Sequence, residues 1–299
     1  VNYRVVHRTE YNYSAPASLC YNEARLQPRH SPRQRCLRSV ITVDPAPVDY
    51  RERVDFFGNR VAYFAIQQPY RKLVVTATSE VALSEEQEVF VFGSDAPWEQ
   101  VRDQLRSDRS PELLAALAYA QDSPIIVADG EMADYAGDSF QRGRPLVEAV
   151  EDLMGRIHRD FRYSPGVTTV ATPLSEVIAH RRGVCQDFAH FAIGCLRAQG
   201  LAARYVSGYL ETLPPPGQEK LVGADASHAW FAVFLPGSGW VDFDPTNNLR
   251  PTERHITIGW GRDFADVTPL KGVAFGGGKQ KLKVSVDVQP LGGGKSAER

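Results

Sequence analysis

Three residues that could carry chemistry stand in informative contexts: Cys185, His228 and Asp244. Cys185 lies in RRGVCQDFAHF, one or two residues into an expected helix. A helix N-terminus carries roughly half a positive charge, which favours thiolate over thiol and makes a nucleophile of the sulfur. Arg181 and Arg182 add positive potential if they turn inward. A buried structural cysteine is the commoner fate, so position alone leaves both readings open. A cysteine nucleophile needs a base, and the base needs an orienting partner. His228 opens HAWFAVFL, a strand apolar on both faces and therefore buried. A ring at its rim is restricted and sits in a low dielectric; a satisfied core-edge histidine is the competing reading. GWVDFDPTNN then supplies Asp242 and Asp244, in a residue type depleted from strands. One of the two can simply face solvent, but Pro245 ends the strand and holds Asp244 at the sheet rim. With a three-residue loop at 236–238, His228 and Asp244 become diagonal neighbours about 7–8 Å apart at Cα. A register that pairs 228 with 244 makes them directly opposite, and an even four-residue loop without a bulge separates them onto opposite faces.

The remaining candidates read as structural. Cys195 sits mid-helix, ten residues on and facing elsewhere at 100° per residue. Cys20 and Cys36 have no acid–base pattern around them, and His7, His30, His158 and His180 read as surface residues. His190, five residues after Cys185, is turned about 140° around the helix and is badly placed for contact. The segment HITIGWGRDFADV, with His255, Arg262 and Asp263, fits either a position near a cleft or an ordinary strand edge. The glycine runs GGGKQ and GGGKS lack the earlier glycine of a phosphate loop, and no CxxC or HExxH spacing suggests zinc. No cofactor and no metal are expected.

These residues must be positioned by two kinds of structure. RSVITV, VAYFAIQ and KLVVTATSEVAL read as strands, with Gly58-Asn59 as a hairpin turn, giving a β-sandwich-like start. Pro111 opens a helix over ELLAALAYA. Leu146, Val147, Val150, Leu153, Met154, Ile157 and Phe161 recur at helical spacing, Thr172-Pro173 opens a short helix, and Gly183 and Gly200 bracket VCQDFAHFAIGCLRAQ. Strands ARYVSGYL, HAWFAVFL, GWVDFD and KLKVSVDVQP follow, before a glycine-rich tail expected to be loose. Helices followed by antiparallel strands make the fold class α+β. The expected units are residues 1–90 (β-rich), 91–144 (helical or linking) and 145–299 (core with C-terminal strands).

Together GVCQDFAHF, ADASHAW and GWVDFDPTNN resemble the transglutaminase-like superfamily of cysteine acyl-transfer enzymes, in the bacterial branch that includes cysteine proteases. The likeness covers nearly the whole chain and is densest over 160–247. It implies a papain-like α+β core behind a β-rich N-terminal domain, with Cys185 as nucleophile, His228 as base and Asp244 as orienter. The implied partner is a peptide or protein amide, cleaved through a thioester by a peptidase or amidase. An amine acceptor would make a transglutaminase instead, and a non-catalytic binding module on the same fold is the rival. The Cys185 N–H is a natural oxyanion donor, with Tyr163 a weak candidate for the second.

With 34 Lys and Arg against 36 Asp and Glu, the net charge of −2 gives no electrostatic case for nucleic acid or an anionic membrane. Hydrophobic content of 43% against 23% charged excludes disorder as the main state. No run approaches a membrane-spanning length, VNYRVVHRTE lacks signal-peptide order, and four scattered cysteines build no disulfide framework. These features set the expectation of a cytoplasmic protein.

Overall fold

The computed structural model describes residues 1–84, 95–212 and 226–291. The glycine-rich tail at 292–299 lies outside the described residues. The first part is strand: β1 (Asn2–Ala24), β2 (Gln34–Asp44), β3 (Asp49–Val54), β4 (Arg60–Ile66) and β5 (Tyr70–Leu83). The middle is helical, with α1 (Trp98–Ser107), α2 (Pro111–Leu117), α3 (Gly130–Gly137) and α4 (Leu146–Asp160). Then come β6 (Arg162–Tyr163), α5 (Leu174–His180), β7 (Arg182–Gly183) and α6 (Cys185–Ala198). The chain ends in β8 (Ala203–Leu210), β9 (Ala226–Leu235), β10 (Gly239–Phe243), β11 (His255–Gly261), β12 (Leu270–Gly276) and β13 (Gln280–Leu291).

The fold is α+β: a core of helices packed on a sheet, joined to an N-terminal β-rich domain. The core sheet runs β10-β9-β8-β11 and every pairing is antiparallel. Its β9 face carrying Ala229, Phe231 and Val233 packs, with Phe243 of β10, against Phe188, Phe191 and Ala192 of α6. Each such side chain taken fully from water contributes roughly 1.5–3 kcal/mol. Helix α4 adds Leu146, Val150, Leu153 and Ile157, the apolar stripe expected from their spacing.

The N-terminal sheet is organised by β1, whose first half lies between β5 and β13 and whose second half lies between β4 and β12. The last two strands therefore run beside the first one. Tyr3, Val5, Val81, Val286 and Val288 of this sheet meet Tyr209, Ile256 and Ile258 of β8 and β11 in one buried cluster. At the β3–β4 hairpin, Asn59 Nδ2 donates to the Trp260 carbonyl at 2.9 Å, and the Trp260 N–H donates to Asn59 Oδ1 at 3.0 Å. The two sheets are thus held by apolar burial and by a reciprocal amide pair.

Candidate active site

Cys185 occupies the first position of α6, where the N–H has no intrahelical acceptor. The turn before it is fixed by Asp187, whose Oδ2 accepts from the Val184 N–H at 2.8 Å and from Thr168 Oγ1 at 2.7 Å. The carboxylate folds back so closely that a Cβ on Gly183 would stand 2.6 Å from Asp187 Oδ2. Only glycine leaves that space. Gly183 also pairs in parallel with Tyr163, which places the Tyr163 ring beside the helix start, edge-on to Phe188.

His228 and Asp244 sit on neighbouring strands. Gly239 pairs with Leu235 and Phe243 with Phe231, so the loop is the three residues 236–238 and the diagonal arrangement is the one adopted. His228 Nε2 donates to Asp244 Oδ2 at 2.7 Å, and the Cys185 thiol is a second hydrogen-bond partner of the same ring. Burial pulls the His228 pKa down, but the bonds to Asp244 and Cys185 outweigh it and push it up to about 10.

Asp244 is fully buried. The DPTN turn after β10 curls back onto it, so the Thr246 and Asn247 N–H groups donate to Oδ1 at 3.0 and 3.2 Å. Asn247 Nδ2 donates to Oδ2 at 2.6 Å. Burial alone would raise its pKa; the bonds to His228, His255 and Asn247 hold it below the ordinary carboxylate range.

His255 is the residue that sequence reasoning left open. From the start of β11 its Nε2 donates to Asp244 Oδ2 at 3.1 Å. Its Nδ1 accepts from the Thr252 N–H at 3.2 Å, which leaves the ring proton on Nε2. No motif marks His255 in the sequence, because the contact depends on the pairing of β11 with β8. His228, Asp244 and His255 lie within 4.8 Å of one another, near enough to hold a metal ion. At 2.7 and 3.1 Å the two contacts are hydrogen bonds, and Oδ2 also accepts from Asn247, so these side chains satisfy one another directly.

Other candidates fall outside this cluster. His190 accepts from the Phe264 N–H and packs on Tyr205, and Cys195 is a buried core residue whose thiol pKa burial pushes up. His30, His158 and His180 are exposed. His7 is not a surface residue: it is 2% exposed, bonded to Tyr209 Oη at 2.8 Å, because β1 presses its inner face against β8. Asp242 shares its sheet face with Asp244 and lines a partly open cavity on that face.

Comparison with known proteins gives a family and a fold. Residues 3–82 match the bacterial transglutaminase-like N-terminal region, and residues 134–245 match the transglutaminase-like superfamily. An uncharacterized protein of Mycobacterium tuberculosis is 44% identical over 298 residues, covering 97% of this chain and 93% of the relative. A protein-glutamine gamma-glutamyltransferase of Pseudomonas aeruginosa is 29% identical over 128 residues, 36% of this chain and 19% of that protein. The crystal structure of a candidate cysteine protease from Cytophaga hutchinsonii shares the fold at a TM-score of 0.75 and 22% identity, covering 99% of this chain and 92% of the other.

The expectation of a cytoplasmic location is not upheld, because neither charge balance nor cysteine usage assigns a compartment. The periplasmic domain of TgpA from Pseudomonas aeruginosa aligns over 79% of this chain and 93% of its own, with a TM-score of 0.35 and 17% identity. The four cysteines here are all unpaired, but unpaired cysteines are compatible with either side of a membrane and do not assign a compartment. Among the described residues no helix is long and apolar enough to cross a membrane.

Proposed function

This chain belongs to the transglutaminase-like superfamily, and on that premise we propose that it is a cysteine-nucleophile enzyme that opens amide bonds through a thioester and passes the acyl group to water. The observation that carries the reading is the His228 ring, bonded to Asp244 Oδ2 at 2.7 Å and also to the Cys185 thiol. A ring that keeps its proton up to about pH 10 is a standing imidazolium beside the sulfur, the partner a thiolate requires.

In this mechanism Cys185 Sγ bonds to the amide carbon and the carbonyl π electrons move to oxygen. The Cys185 N–H at the start of α6 donates to that oxyanion. As the tetrahedral centre collapses, the C–N bond breaks and His228 gives its proton to the leaving amine. Water then attacks the thioester, His228 takes the water proton, and Cys185 leaves as thiolate with a carboxylic acid product. Asp244 holds the ring orientation and balances its charge throughout. Cys185 is only partly buried and the adjacent Tyr163 is 49% exposed, which leaves the thioester open to water.

The P. aeruginosa relative favours a second reading, in which a primary amine is the acceptor and the substrate is a glutamine side chain. One experiment separates the readings: peptides containing glutamine, incubated with excess primary amine and analysed by mass spectrometry, for the wild type and Cys185→Ala. Cysteine-dependent cleavage or deamidation supports the hydrolase. A cysteine-dependent amine adduct supports the transglutaminase. Products equal in both proteins would overturn the nucleophile assignment.

A further inference from the structure

On the face of the core sheet opposite α6 lies a cavity of about 450 Å³, walled by β8–β11 and closed by residues 31–34 and 83–84 of the N-terminal sheet and by the 250–253 loop. Its volume is in the range of small-molecule sites. Cys185, His228 and Asp244 are not among its lining residues.

The cavity contains an unsatisfied cation. Arg204 is 7% exposed, and its guanidinium carbon stands 3.7 Å from the Trp260 ring centroid and 4.5 Å from that of Trp240. Its Nε is buried without a hydrogen-bond acceptor, and among the described residues the side chain forms no hydrogen bond and no ion pair. Burial accordingly pulls its pKa down to about 10, with Asp242 the main opposing influence. Arg29, on the other side of Trp260 at 3.6 Å, shows what satisfaction looks like: it donates to the Phe57 carbonyl at 3.0 Å and to Asn59 Oδ1 at 2.7 Å. A buried guanidinium without an acceptor is costly, and its planar fork matches a carboxylate.

The rest of the lining fits a ligand with one charged end and an apolar body. Trp230 is 1% exposed, and its indole N–H faces the Asp242 carboxyl, whose charged form it favours. Arg33 and Arg250 add positive charge, against Asp242 and Glu253. The indoles of Trp230, Trp240 and Trp260, with Val206, form the apolar wall.

We propose that this cavity is a binding site for a small organic carboxylate, held by the Arg204 fork with its apolar body against the three indoles. The cavity meets the acyl-transfer centre through His255, which lines it, and Trp230, which packs on the His228 ring, but binding there does not depend on the proposed reaction.

The test uses the whole chain with phenylacetate and its neutral isostere phenylacetamide, at matched ionic strength, by calorimetry and by tryptophan emission. Three of the four tryptophans line the cavity, so emission reports occupancy. Saturable binding of phenylacetate, about 10-fold or more tighter than phenylacetamide, is expected from charge-assisted hydrogen bonds. Arg204→Gln, checked for folding by circular dichroism, should abolish the preference. Equal binding of acid and amide, absence of binding by the acid, or a preference that survives in Arg204→Gln would each overturn the proposal. If Arg204→Gln does not fold, the acid–amide comparison in the wild type decides alone.

Discussion

His255 Nε2 donates to Asp244 Oδ2 from 3.1 Å, the same oxygen that accepts from His228 at 2.7 Å. One carboxylate oxygen thus joins β9, β10 and β11, and His255 acts on the chemistry only through Asp244. Removing this donor leaves more of the Asp244 charge for His228, so the His228 pKa must rise further. His255→Phe should therefore lower kcat by about 10- to 100-fold, the worth of one hydrogen bond to a charged group, and should shift the alkaline limb of the pH–rate profile upward. A purely structural role would lower activity without moving that limb.

Asp244→Asn has the opposite sign. The shape is kept, and the Thr246 and Asn247 N–H groups can still donate to a side-chain carbonyl. The charge that raises the His228 pKa is gone, so burial dominates and the ring gives up its proton at lower pH. Turnover should fall about 10³- to 10⁴-fold, as expected when the orienting carboxylate of a triad is neutralised. A pH–rate profile whose alkaline limb stays near that of the wild type would count against the assignment.

What was legible in the sequence was local. The spacing of Leu146, Val150, Leu153 and Ile157 gives α4, and Pro245 and the short 236–238 loop place Asp244 diagonal to His228. Where a partner lies far along the chain, composition carries no record of it. Helix α3 falls in a stretch that reads as a linker, because its Gly130 start and the Asp129 cap give little apolar pattern. The pairing of His7 with Val286, of Tyr21 with Val273 and of His255 with Leu210 is set by sheet topology, which no period of two or 3.6 residues encodes. His7 therefore reads as a surface residue and His255 fits a cleft or a strand edge equally, although both are buried.

Gly183 should tolerate no side chain. A Cβ there would stand 2.6 Å from Asp187 Oδ2 and 2.8 Å from Asp187 Cβ, so either the carboxylate or the strand must move. Moving the carboxylate frees the Val184 N–H and Thr168 Oγ1 and shifts the start of α6, which carries Cys185. Gly183→Ala is expected to lower kcat/KM by at least about 100-fold, since misplacement of about 1 Å has that effect, and to lower Tm. Asp187→Ala, which frees the same two donors without adding a Cβ at position 183, should lower kcat/KM in the same direction, and an unchanged rate in that variant would refute the route through Asp187.

Acid should weaken the fold before its carboxylates are neutralised. Burial depresses the His7 pKa to about 4 and that of His190 to about 3, from an ordinary 6.5. For a histidine held neutral in the fold, the unfolded chain takes up the proton first, so stability is complete above pH 6.5 and is lost as pH falls toward the folded value. His228 works the other way: its raised pKa contributes stability below pH 6.5, which is lost as pH rises through about 10. Asp244, held low, loses its contribution only as pH falls below the ordinary carboxylate range. Between pH 6.5 and about 4 the decline therefore comes from His7 and His190, each worth up to about 1.4 kcal/mol per pH unit, and is opposed by Asp187 and Asp242, whose pKa values burial raises. Urea unfolding across this range should show the midpoint falling with pH. His7→Gln, which can still bond Tyr209 Oη, should roughly halve the slope, and a midpoint constant between pH 7 and 5 in the wild type would refute the assignment.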